Sequence, residues 1–342
     1  MSGRISIINT GGTIGMMPSE GGYAPVPGAL SKMLETLPEL GRDTLPKFEV
    51  IELDPILDSA NMGPDDWNTI AEVIASRYDA FDGFVVLHGT DTMAYTASAL
   101  SFMLEGLRKP VILTGSQIPL ARIRTDARQN LLDSMLIASQ FSIPEVSLIF
   151  GGRLFRGNRV TKTNAADLDA FASPNYAELG RSAVRLEVFR DRVRAAPRGP
   201  LKVQKISGCR VGALRLFPGI DAGILESILA TSPDGLVLEC YGIGNAPVRN
   251  EKLLDVLSAA CGRGVVVVAC SQCLEARVDL TRYETGAALA RAGVIAGLDL
   301  TAEAAMTKLM YLFARGDSSD RVKAQMQTNL RGEITIVDGE AG

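Results

Sequence analysis

Along the chain, short apolar runs alternate with segments in which apolar residues recur at steps of three and four. The short runs predict strands and the periodic segments predict helices, because side chains repeat every 2 residues in a strand and every 3.6 in a helix. The predicted strands are residues 4–9, 48–53, 83–88, 110–114, 145–150, 211–217, 235–240 and 265–270. The predicted helices are residues 64–78, 91–107, 126–140, 222–230, 251–261 and 302–314. This alternation indicates an α/β chain with a mostly parallel sheet.

The helix predicted over residues 91–107 shows the helical period most clearly. Its apolar face is formed by Met93, Ala97, Leu100, Leu104 and Leu107. Asp91 stands where an N-cap residue belongs, since a carboxylate there can accept hydrogen bonds from the free N–H groups of the first turn. We therefore expect one helix that begins at Asp91 and extends to Leu107.

The segment 190–200, with the sequence RDRVRAAPRGP, interrupts the alternation of strands and helices. It is rich in arginine and proline and has no apolar period. A chain of 342 residues is also longer than one hydrophobic core usually holds. We therefore predict two α/β domains joined by a linker over residues 190–210. The larger N-terminal domain, residues 1–189, has a mostly parallel sheet, and the smaller C-terminal domain, residues 211–342, has a parallel sheet.

The charge of the chain excludes some partners. The net charge is −4 and the estimated pI is 5.3, whereas a nucleic-acid-binding surface needs clustered basic residues to displace counterions from phosphates. The N-terminal residues lack the apolar region of a secretion signal. The longest later apolar run, residues 265–270, is too short to cross a bilayer. We therefore expect a soluble cytoplasmic protein that has no nucleic-acid or membrane partner.

The five cysteines form an odd set confined to the second half of the chain. This predicts a reducing compartment and argues against a framework of disulfides. Cys270 and Cys273 form a lone C-x-x-C motif, for which zinc binding and redox chemistry are the functional interpretations. A zinc site needs about four ligands, and the chain has one histidine and no second cysteine pair. We therefore expect both residues to be small buried residues at a strand end.

Three predicted strands end in similar polar sequences. These ends are Asn9-Thr10-Gly11-Gly12-Thr13, His88-Gly89-Thr90-Asp91-Thr92 and Thr114-Gly115-Ser116. In an open parallel sheet, ligands bind beyond the carboxyl ends of the strands, and glycine allows a ligand to approach the backbone closely. Together the three ends predict a pocket rich in hydroxyl and backbone N–H groups, with Asp91 as its carboxylate. Such a pocket suits a small polar substrate and acyl chemistry.

The base that would activate a hydroxyl nucleophile is not determined by these motifs. His88 could act as a general base, but a histidine at a strand end is more often a hydrogen-bonded core residue, and we favour that interpretation. A lysine can serve when burial or a neighbouring charge lowers its pKa. Lys162 lies in a polar segment after the strand predicted at 145–150. Composition alone favours a solvated loop lysine there.

Several longer motifs resemble the bacterial asparaginase and glutaminase family, and the similarity extends over nearly the whole chain. The motifs are TGGTIG (10–15), HGTDTMAYTASAL (88–100), TGSQIPL (114–120), TKTN (161–164), FASPN (171–175), YGIGNAP (241–247) and LRGE (330–333). The run HGTDTMAYTASALSFMLE resembles the cytoplasmic type I branch. The resemblance implies two α/β domains, assembly as homodimers or homotetramers, and hydrolysis of L-asparagine to L-aspartate and ammonia.

The resemblance also implies the roles of individual residues. Thr13 would attack the side-chain amide carbon and form an acyl-enzyme, assisted by Tyr23 on a mobile flap. Thr90, Lys162 and Asp91 would form a polar relay that deprotonates the attacking group or water. Which threonine attacks first has been argued within the family.

Substrate binding is implied at the same strand ends. Asp58 and Ser59 match the stretch that holds the α-carboxylate and α-amino groups of the substrate, and Asp91 would also anchor the α-amino group. The backbone and hydroxyl groups at Gly12, Gly89, Thr90 and Ser116 would donate hydrogen bonds to the substrate and to its developing oxyanion. No metal ion or organic cofactor is needed by this scheme.

One residue departs from the family pattern. The resemblance implies a regulatory asparagine site near residues 238–241 and 271–273, with an arginine that binds the effector carboxylate. Glu239 stands in the place of that arginine, so we expect the regulatory site to be lost.

Alternative functions remain open at this stage. The chain could be a glutaminase, since one methylene changes binding by only about 1–3 kcal/mol. A tRNA-linked amidotransferase subunit is disfavoured, because that class carries an extra domain before the motif that here begins at Thr10. A non-catalytic amino-acid sensor would be expected to lack Thr13, Thr90 or Lys162, and all three are present.

Overall fold

The computed structural model describes residues 3–336 and divides into two compact units. The N-terminal unit comprises residues 1–173 and 177–203, and the C-terminal unit comprises residues 174–176 and 204–342. The main division after residue 203 lies within the segment 190–210. The short segment 174–176, which belongs to the C-terminal unit, has no signal in the apolar pattern of the sequence.

The N-terminal unit contains four helices and most of the strands in the described part of the chain. Its helices are α1 (Ala29–Glu35), α2 (Pro64–Ser76), α3 (Met93–Met103) and α4 (Ala127–Gln140). Its strands are β1 (Arg4–Gly11), β2 (Met16–Ser19), β3 (Gly22–Pro25), β4 (Lys47–Leu57), β5 (Gly83–Leu87), β6 (Leu104–Glu105), β7 (Val111–Thr114), β8 (Val146–Phe150), β9 (Arg153–Arg156), β10 (Thr161–Lys162), β11 (Phe171–Ala172), β12 (Gly180–Ser182), β13 (Leu186–Val188) and β14 (Lys202–Val203).

The main sheet of the N-terminal unit has the strand order β13-β12-β9-β8-β7-β5-β1-β4. Strands β4, β1, β5, β7 and β8 run parallel to one another, whereas β9, β12 and β13 extend the sheet by antiparallel pairing. Strands β5, β7 and β8 are buried along their whole length, as expected of parallel strands that are covered on both faces. The prediction of an α/β chain with a mostly parallel N-terminal sheet is therefore confirmed.

Helix α3 differs from its prediction at both ends. The N-cap residue is Thr92 and not Asp91, so the carboxylate of Asp91 is left available for other contacts. The helix ends at Met103 because Leu104 and Glu105 form strand β6, which pairs with β14. The predicted extension to residue 107 is therefore wrong, since pairing with a distant strand replaced the last helical turn.

The C-terminal unit is built around a second sheet in which all strands are parallel. Its strands β15 (Val211–Arg215), β16 (Gly235–Cys240), β17 (Val266–Ser271) and β18 (Ile295–Ala296) pair in that order. Its helices are α5 (Ala222–Ala230), α6 (Glu251–Gly262), α7 (Glu284–Arg291), α8 (Ala302–Ala314) and α9 (Ser319–Met326). The smaller parallel sheet that the sequence predicts is confirmed, although the short elements β18, α7 and α9 were not predicted.

A buried ion pair gives the LRGE segment a structural role in the C-terminal unit. The Lys308 ammonium lies 2.6 Å from the Glu333 carboxylate, and both side chains are fully buried. Glu333 also accepts hydrogen bonds from the backbone N–H groups of Leu330 and Arg331. Burial alone would raise the pKa of Glu333, but Lys308 and the backbone donors outweigh it and the pKa is lowered. Glu333 is therefore an ionised residue that anchors the end of the described chain on α8.

All five cysteines are free thiols. Cys240 and Cys270 are buried, and burial raises the pKa of the Cys240 thiol to about 12. Cys273 is exposed because it follows the end of β17, so the expectation that both C-x-x-C residues are buried is wrong for Cys273. Within residues 3–336, no cluster of three or more His, Cys, Asp or Glu side chains could hold a metal ion. Over the same range, no helix is long and apolar enough to span a bilayer.

Candidate active site

The carboxyl ends of β1, β5 and β7 meet at one edge of the N-terminal sheet, where the three strands are neighbours. Gly12 has a φ of 81°, and a Cβ atom at this position would lie 2.3 Å from the backbone nitrogen of Gly89. A Cβ atom at Gly89 would lie 2.4 Å from the Oγ of Ser59. Glycine is required at both positions because only a residue without a side chain permits this approach. Thr13 and Thr90 therefore directly follow two glycines that are in contact.

Lys162 connects Thr90 and Asp91, which lie shortly after the end of β5. Its ammonium donates to Thr90 Oγ1 at 2.8 Å and to Asp91 Oδ1 at 2.7 Å. The lysine is held on the short hairpin of β10 and β11, in which Lys162 pairs with Phe171. Phe171 is buried and packs edge-on against Phe150 at the end of β8. This packing brings the lysine to the strand ends, although it lies 72 residues from Thr90 in sequence.

Lys162, Thr90 and Asp91, which we call the Lys162 group, differ in their exposure to solvent. The side chain of Lys162 is 18% exposed, whereas that of Asp91 is 66% exposed. Thr90 is buried. The lysine is therefore shielded between a buried hydroxyl and a carboxylate that still faces solvent.

Gln117 is a fourth member of this group and is not among the site residues that the sequence predicts. The Thr90 hydroxyl donates to Gln117 Oε1 at 3.2 Å, and Gln117 Nε2 donates to the carbonyl of Asp167 at 3.2 Å. The Asp167 carbonyl can only accept, so it fixes the orientation of the amide. The proton of Thr90 therefore points to Gln117 and its lone pairs face Lys162. The one signal for Gln117 in the sequence is its position after Ser116 in the strand-end motif TGSQ.

Asp126 fixes the loop that carries Ser116 and Gln117. Its carboxylate accepts from the backbone nitrogens of Gln117 and Ile118 at 3.0 and 2.9 Å. Asn130, one turn further along α4, donates to the carbonyl of Gly115 at 3.0 Å. The start of α4 thus holds the loop after β7 in place.

Besides Gly12 and Gly89, the predicted substrate-binding residues outside the Lys162 group are Asp58, Ser59 and Ser116. Ser116 is buried, and its hydroxyl has no hydrogen-bond partner among residues 3–336. Asp58 caps the 3-10 turn formed by residues 59–61 by accepting from Ala60 N at 3.1 Å. Ser59 is buried, and its carbonyl accepts from the Thr92 hydroxyl at 2.7 Å. The contact of Ser59 with Gly89 brings this turn to the same edge as β5.

Tyr23 is not joined to Thr13 by a hydrogen bond. It lies on the exposed hairpin of β2 and β3, opposite Pro18. Its hydroxyl accepts from Arg122 at 3.1 Å, and its side chain is 43% exposed.

His88 is a buried structural residue, as we expected from its place at a strand end. Its Nδ1 is 2.7 Å from the Gly89 carbonyl, and its Nε2 is 2.8 Å from the Thr96 hydroxyl, which accepts from Trp67 Nε1. The carbonyl can only accept and the indole can only donate. The proton is therefore on Nδ1, and Thr96 donates to Nε2. Burial lowers the pKa of His88 from 6.5 to about 4, so the ring is neutral.

Comparison with known proteins agrees with this fold and with the motifs at its strand ends. The family model for the asparaginase N-terminal domain matches residues 4–194, and the model for the glutaminase/asparaginase C-terminal domain matches residues 210–326. L-asparaginase 1 of Escherichia coli (strain K12) is 47% identical over 98% of this chain and 98% of its own length. The chain therefore belongs to the asparaginase family, as its motifs predict.

Two solved structures share the fold over nearly the full chain. The crystal structure of L-asparaginase I from Vibrio cholerae superimposes with a TM-score of 0.90 at 46% identity, covering 98% of this chain and 100% of that one. The thermostable L-asparaginase from Thermococcus kodakarensis gives a TM-score of 0.88 at 34% identity, with the same coverage.

Proposed function

We propose that the chain hydrolyses L-asparagine to L-aspartate and ammonia through a threonine nucleophile and an acyl-enzyme. Family membership and full-length similarity to an L-asparaginase of Escherichia coli support the reaction. The observation that carries the mechanism is the contact of the Lys162 ammonium with both Thr90 and Asp91, beside the junction of Gly12 and Gly89. It unites a hydroxyl, an amine that accepts a proton once it is neutral, and a carboxylate at one edge of the sheet.

In the first half-reaction, the Thr13 oxygen attacks the side-chain amide carbon of asparagine. The new C–O bond gives a tetrahedral intermediate, whose negative oxygen is stabilised by backbone N–H groups at the strand ends near Gly12 and Gly89. The C–N bond then breaks, and ammonia leaves after taking up the proton that the nucleophile lost. The product that stays bound is an aspartyl ester of Thr13.

In the second half-reaction, water attacks the ester carbon and releases L-aspartate. Thr90 and Lys162 orient and deprotonate this water, and the proton returns to Thr13 as the ester bond breaks. Lys162 must first be neutral, because an ammonium group can only donate. Tyr23 assists Thr13 when the hairpin of β2 and β3 closes over the substrate.

The remaining residues at this edge of the N-terminal sheet bind the α-amino and α-carboxylate groups of asparagine. The carboxylate of Asp91 is mostly exposed and binds the α-amino group through the oxygen that does not face Lys162. Asp58 and Ser59 complete the binding of the α-amino and α-carboxylate groups. The hydroxyl of Ser116 has no hydrogen-bond partner within residues 3–336 and is available to the side-chain amide. This supports its role in binding, because a buried polar group without a partner is costly.

Further properties belong to the same proposal. Assembly as a homodimer or homotetramer, and action in the cytoplasm on free amino acids rather than on nucleic acid or membranes, rest on the family resemblance. The scheme requires no metal ion or organic cofactor.

An assay of ammonia release from L-asparagine, D-asparagine and L-glutamine tests the proposal. We expect L-asparagine to give the highest kcat/KM. A higher value for L-glutamine would make the chain a glutaminase. Release only in the presence of glutamyl-tRNA would make it an amidotransferase subunit. Binding of asparagine without ammonia release would make it an amino-acid sensor.

A further inference from the structure

Asn9 and Glu52 form a polar pair between the neighbouring strands β1 and β4 of the N-terminal sheet. The two residues are partners in the parallel register of these strands, and Asn9 Nδ2 donates to Glu52 Oε2 at 3.0 Å. Asn9 is buried and Glu52 is half-buried. Asparagine and glutamate are both depleted in strands, so packing of the sheet does not by itself explain the pair.

The oxygen of the Asn9 amide shapes the backbone just before Thr13. Asn9 Oδ1 accepts from Gly11 N at 3.1 Å, a contact in which an asparagine side chain bonds to the backbone two residues on. Gly11 has a φ of 113°, and the pairing of β1 with β4 is irregular between Asn9 and Gly11. Because the Gly11 N–H group can only donate, Oδ1 must face it, and the amide nitrogen is therefore directed to Glu52.

The second oxygen of Glu52 binds a more distant part of the chain. Glu52 Oε1 accepts from Gly28 N at 2.7 Å. Gly28 is the N-cap residue of α1, has a φ of 72° and follows the end of β3 at Pro25. Both oxygens of Glu52 are thus hydrogen-bonded, and one series of bonds runs from Gly11 through Asn9 and Glu52 to Gly28.

The residues between these two glycines, 12–27, are called here the Thr13 segment. It contains Thr13, in the 3-10 turn of residues 13–15, and the hairpin of β2 and β3 that carries Tyr23. We propose that Asn9 and Glu52 are positioning residues that hold both ends of this segment and so fix the place of Thr13. The proposal rests on the proposed function, in which Thr13 is the nucleophile. Such a constraint matters for rate, because misplacing a reacting group by about 1 Å can cost about a hundredfold.

Exchanging the donor and the acceptor of the pair tests the proposal. In Asn9→Asp, the introduced carboxylate can still accept from Gly11 N, but it faces the carboxylate of Glu52. In Glu52→Gln, the Gly28 N–H group binds the oxygen of the introduced amide, so two NH₂ groups face each other between the strands. Each single variant therefore contains one unfavourable contact. We expect kcat for ammonia release from L-asparagine to fall about tenfold in each.

The double variant, which combines Asn9→Asp with Glu52→Gln, restores the series of hydrogen bonds in reversed form. The introduced amide donates to the introduced carboxylate, while the bonds from Gly11 N and Gly28 N are kept. We therefore expect the double variant to recover kcat to within about threefold of the wild type, since the two changes are strongly coupled.

The kcat values are expressed per folded molecule, with the folded fraction taken from circular dichroism. Residues that only stabilised the fold would change Tm and leave this kcat unaltered. The control is Glu49→Gln on the same strand, which removes the ion pairs of Glu49 with Arg4 and Arg77 and should leave kcat unchanged within about twofold. Unchanged kcat in both single variants, or a double variant no more active than the single ones, would overturn the proposal. A wild-type chain that releases no ammonia would instead overturn the proposed function, and this inference with it.

Discussion

Thr13 and Thr90 each directly follow one of the two glycines, Gly12 and Gly89, that are in contact. We expect Thr13→Ala and Thr90→Val to reduce kcat by about a hundredfold or more, because each removes a hydroxyl from a group of residues that acts as a unit. Steady-state ammonia release measures the effect, and circular dichroism checks the fold. Thr69→Val on the exposed face of α2 is the control. Retention of more than about a tenth of the wild-type kcat by either variant would contradict its role.

Lys162 acts on protons in the proposed scheme and does not bind the α-groups of the substrate. We therefore expect Lys162→Met to eliminate turnover while L-aspartate still binds, since Asp58, Ser59 and Asp91 remain in place. Calorimetry with L-aspartate separates the two properties. Loss of aspartate binding together with activity would instead make Lys162 a substrate anchor.

Gln117 accepts a hydrogen bond from the Thr90 hydroxyl, and this leaves the lone pairs of Thr90 facing Lys162. We expect Gln117→Met to lower kcat by about tenfold with little change in KM, because the hydroxyl loses its orientation while the substrate contacts remain. Gln117→Glu should also move the acidic limb of the kcat profile to higher pH, because the added carboxylate stabilises the ammonium form of Lys162.

The control for Gln117 is Gln140→Met, at the exposed end of α4. The pH profile is the decisive measurement, since a purely structural role would lower activity equally at all pH values. An unshifted profile in Gln117→Glu would exclude this role.

At the scale of single residues, the sequence predicts some members of the site better than others. Thr13, Thr90 and Ser116 follow apolar runs and glycines, so the strand pattern alone brings them to one edge. Lys162 has no such signal, because the hairpin that carries it is held by the packing of Phe171 on Phe150. The orientation of the Gln117 amide depends on the carbonyl of Asp167, which no local pattern encodes.

At the scale of elements, one chain of hydrogen bonds joins α2, α3 and β5 through Trp67, Thr96 and His88. The pKa of His88 is lowered by burial from 6.5 to about 4, so the unfolded chain binds a proton more readily than the folded one. The contribution of His88 to stability is thus intact above pH 6.5 and is lost as the pH falls through 4. By about pH 5 the loss amounts to about 2 kcal/mol.

Because His88 is the only histidine in the chain, its imidazole resonance can be followed by NMR without further assignment. We expect no titration between about pH 8 and pH 5. Stability measured by denaturant over the same range should fall less in His88→Gln than in the wild type. A midpoint near the ordinary histidine value would show that the ring is exposed to solvent.

Elements with a strong apolar period were predicted well, and short ones were not. Predictions for α2, α4, α5, α6 and α8 agree with the structure to within two residues at each end. Helix α3 fails at its end because β6 pairs with β14, a contact that spans nearly a hundred residues. Strands of two or three residues, such as β10 and β11, are stabilised by tertiary contacts and leave too few positions for a period to appear.

At the scale of the whole molecule, the sequence predicts two α/β units because composition changes sharply at residues 190–200. It does not predict that residues 174–176 belong to the C-terminal unit. Within that unit, the Asn175 amide donates to the carbonyl of Asp299 and accepts from Ala276 N. These bonds depend on side-chain contacts between residues about a hundred positions apart, which apolar periodicity cannot reveal.

Regulation is a property of the whole molecule, and Glu239 is the residue that bears on it. Glu239, the penultimate residue of β16, lies beside Arg215 of β15, and their side chains form an ion pair at 3.2 Å. The family resemblance implies a cation at position 239 to bind the carboxylate of an effector asparagine. Here the charges of Glu239 and Arg215 offset each other, so the pair presents no net positive charge to an effector carboxylate. The contribution of Glu239 alone to a carboxylate about 4 Å away is a repulsion of roughly 1–4 kcal/mol, comparable with the 1–3 kcal/mol typical of allosteric coupling.

We therefore expect the rate to depend hyperbolically on asparagine concentration, with no second asparagine bound outside the active site. Steady-state kinetics over a wide range of substrate, together with equilibrium dialysis, measure both properties. In Glu239→Arg, the new guanidinium group would lie beside that of Arg215, so this variant should bind a second asparagine. Glu226→Arg on α5 is the control for charge reversal. A Hill coefficient clearly above 1 in the wild type would contradict the prediction, because another cation, such as Arg210 or Arg249, would then have to bind the effector carboxylate.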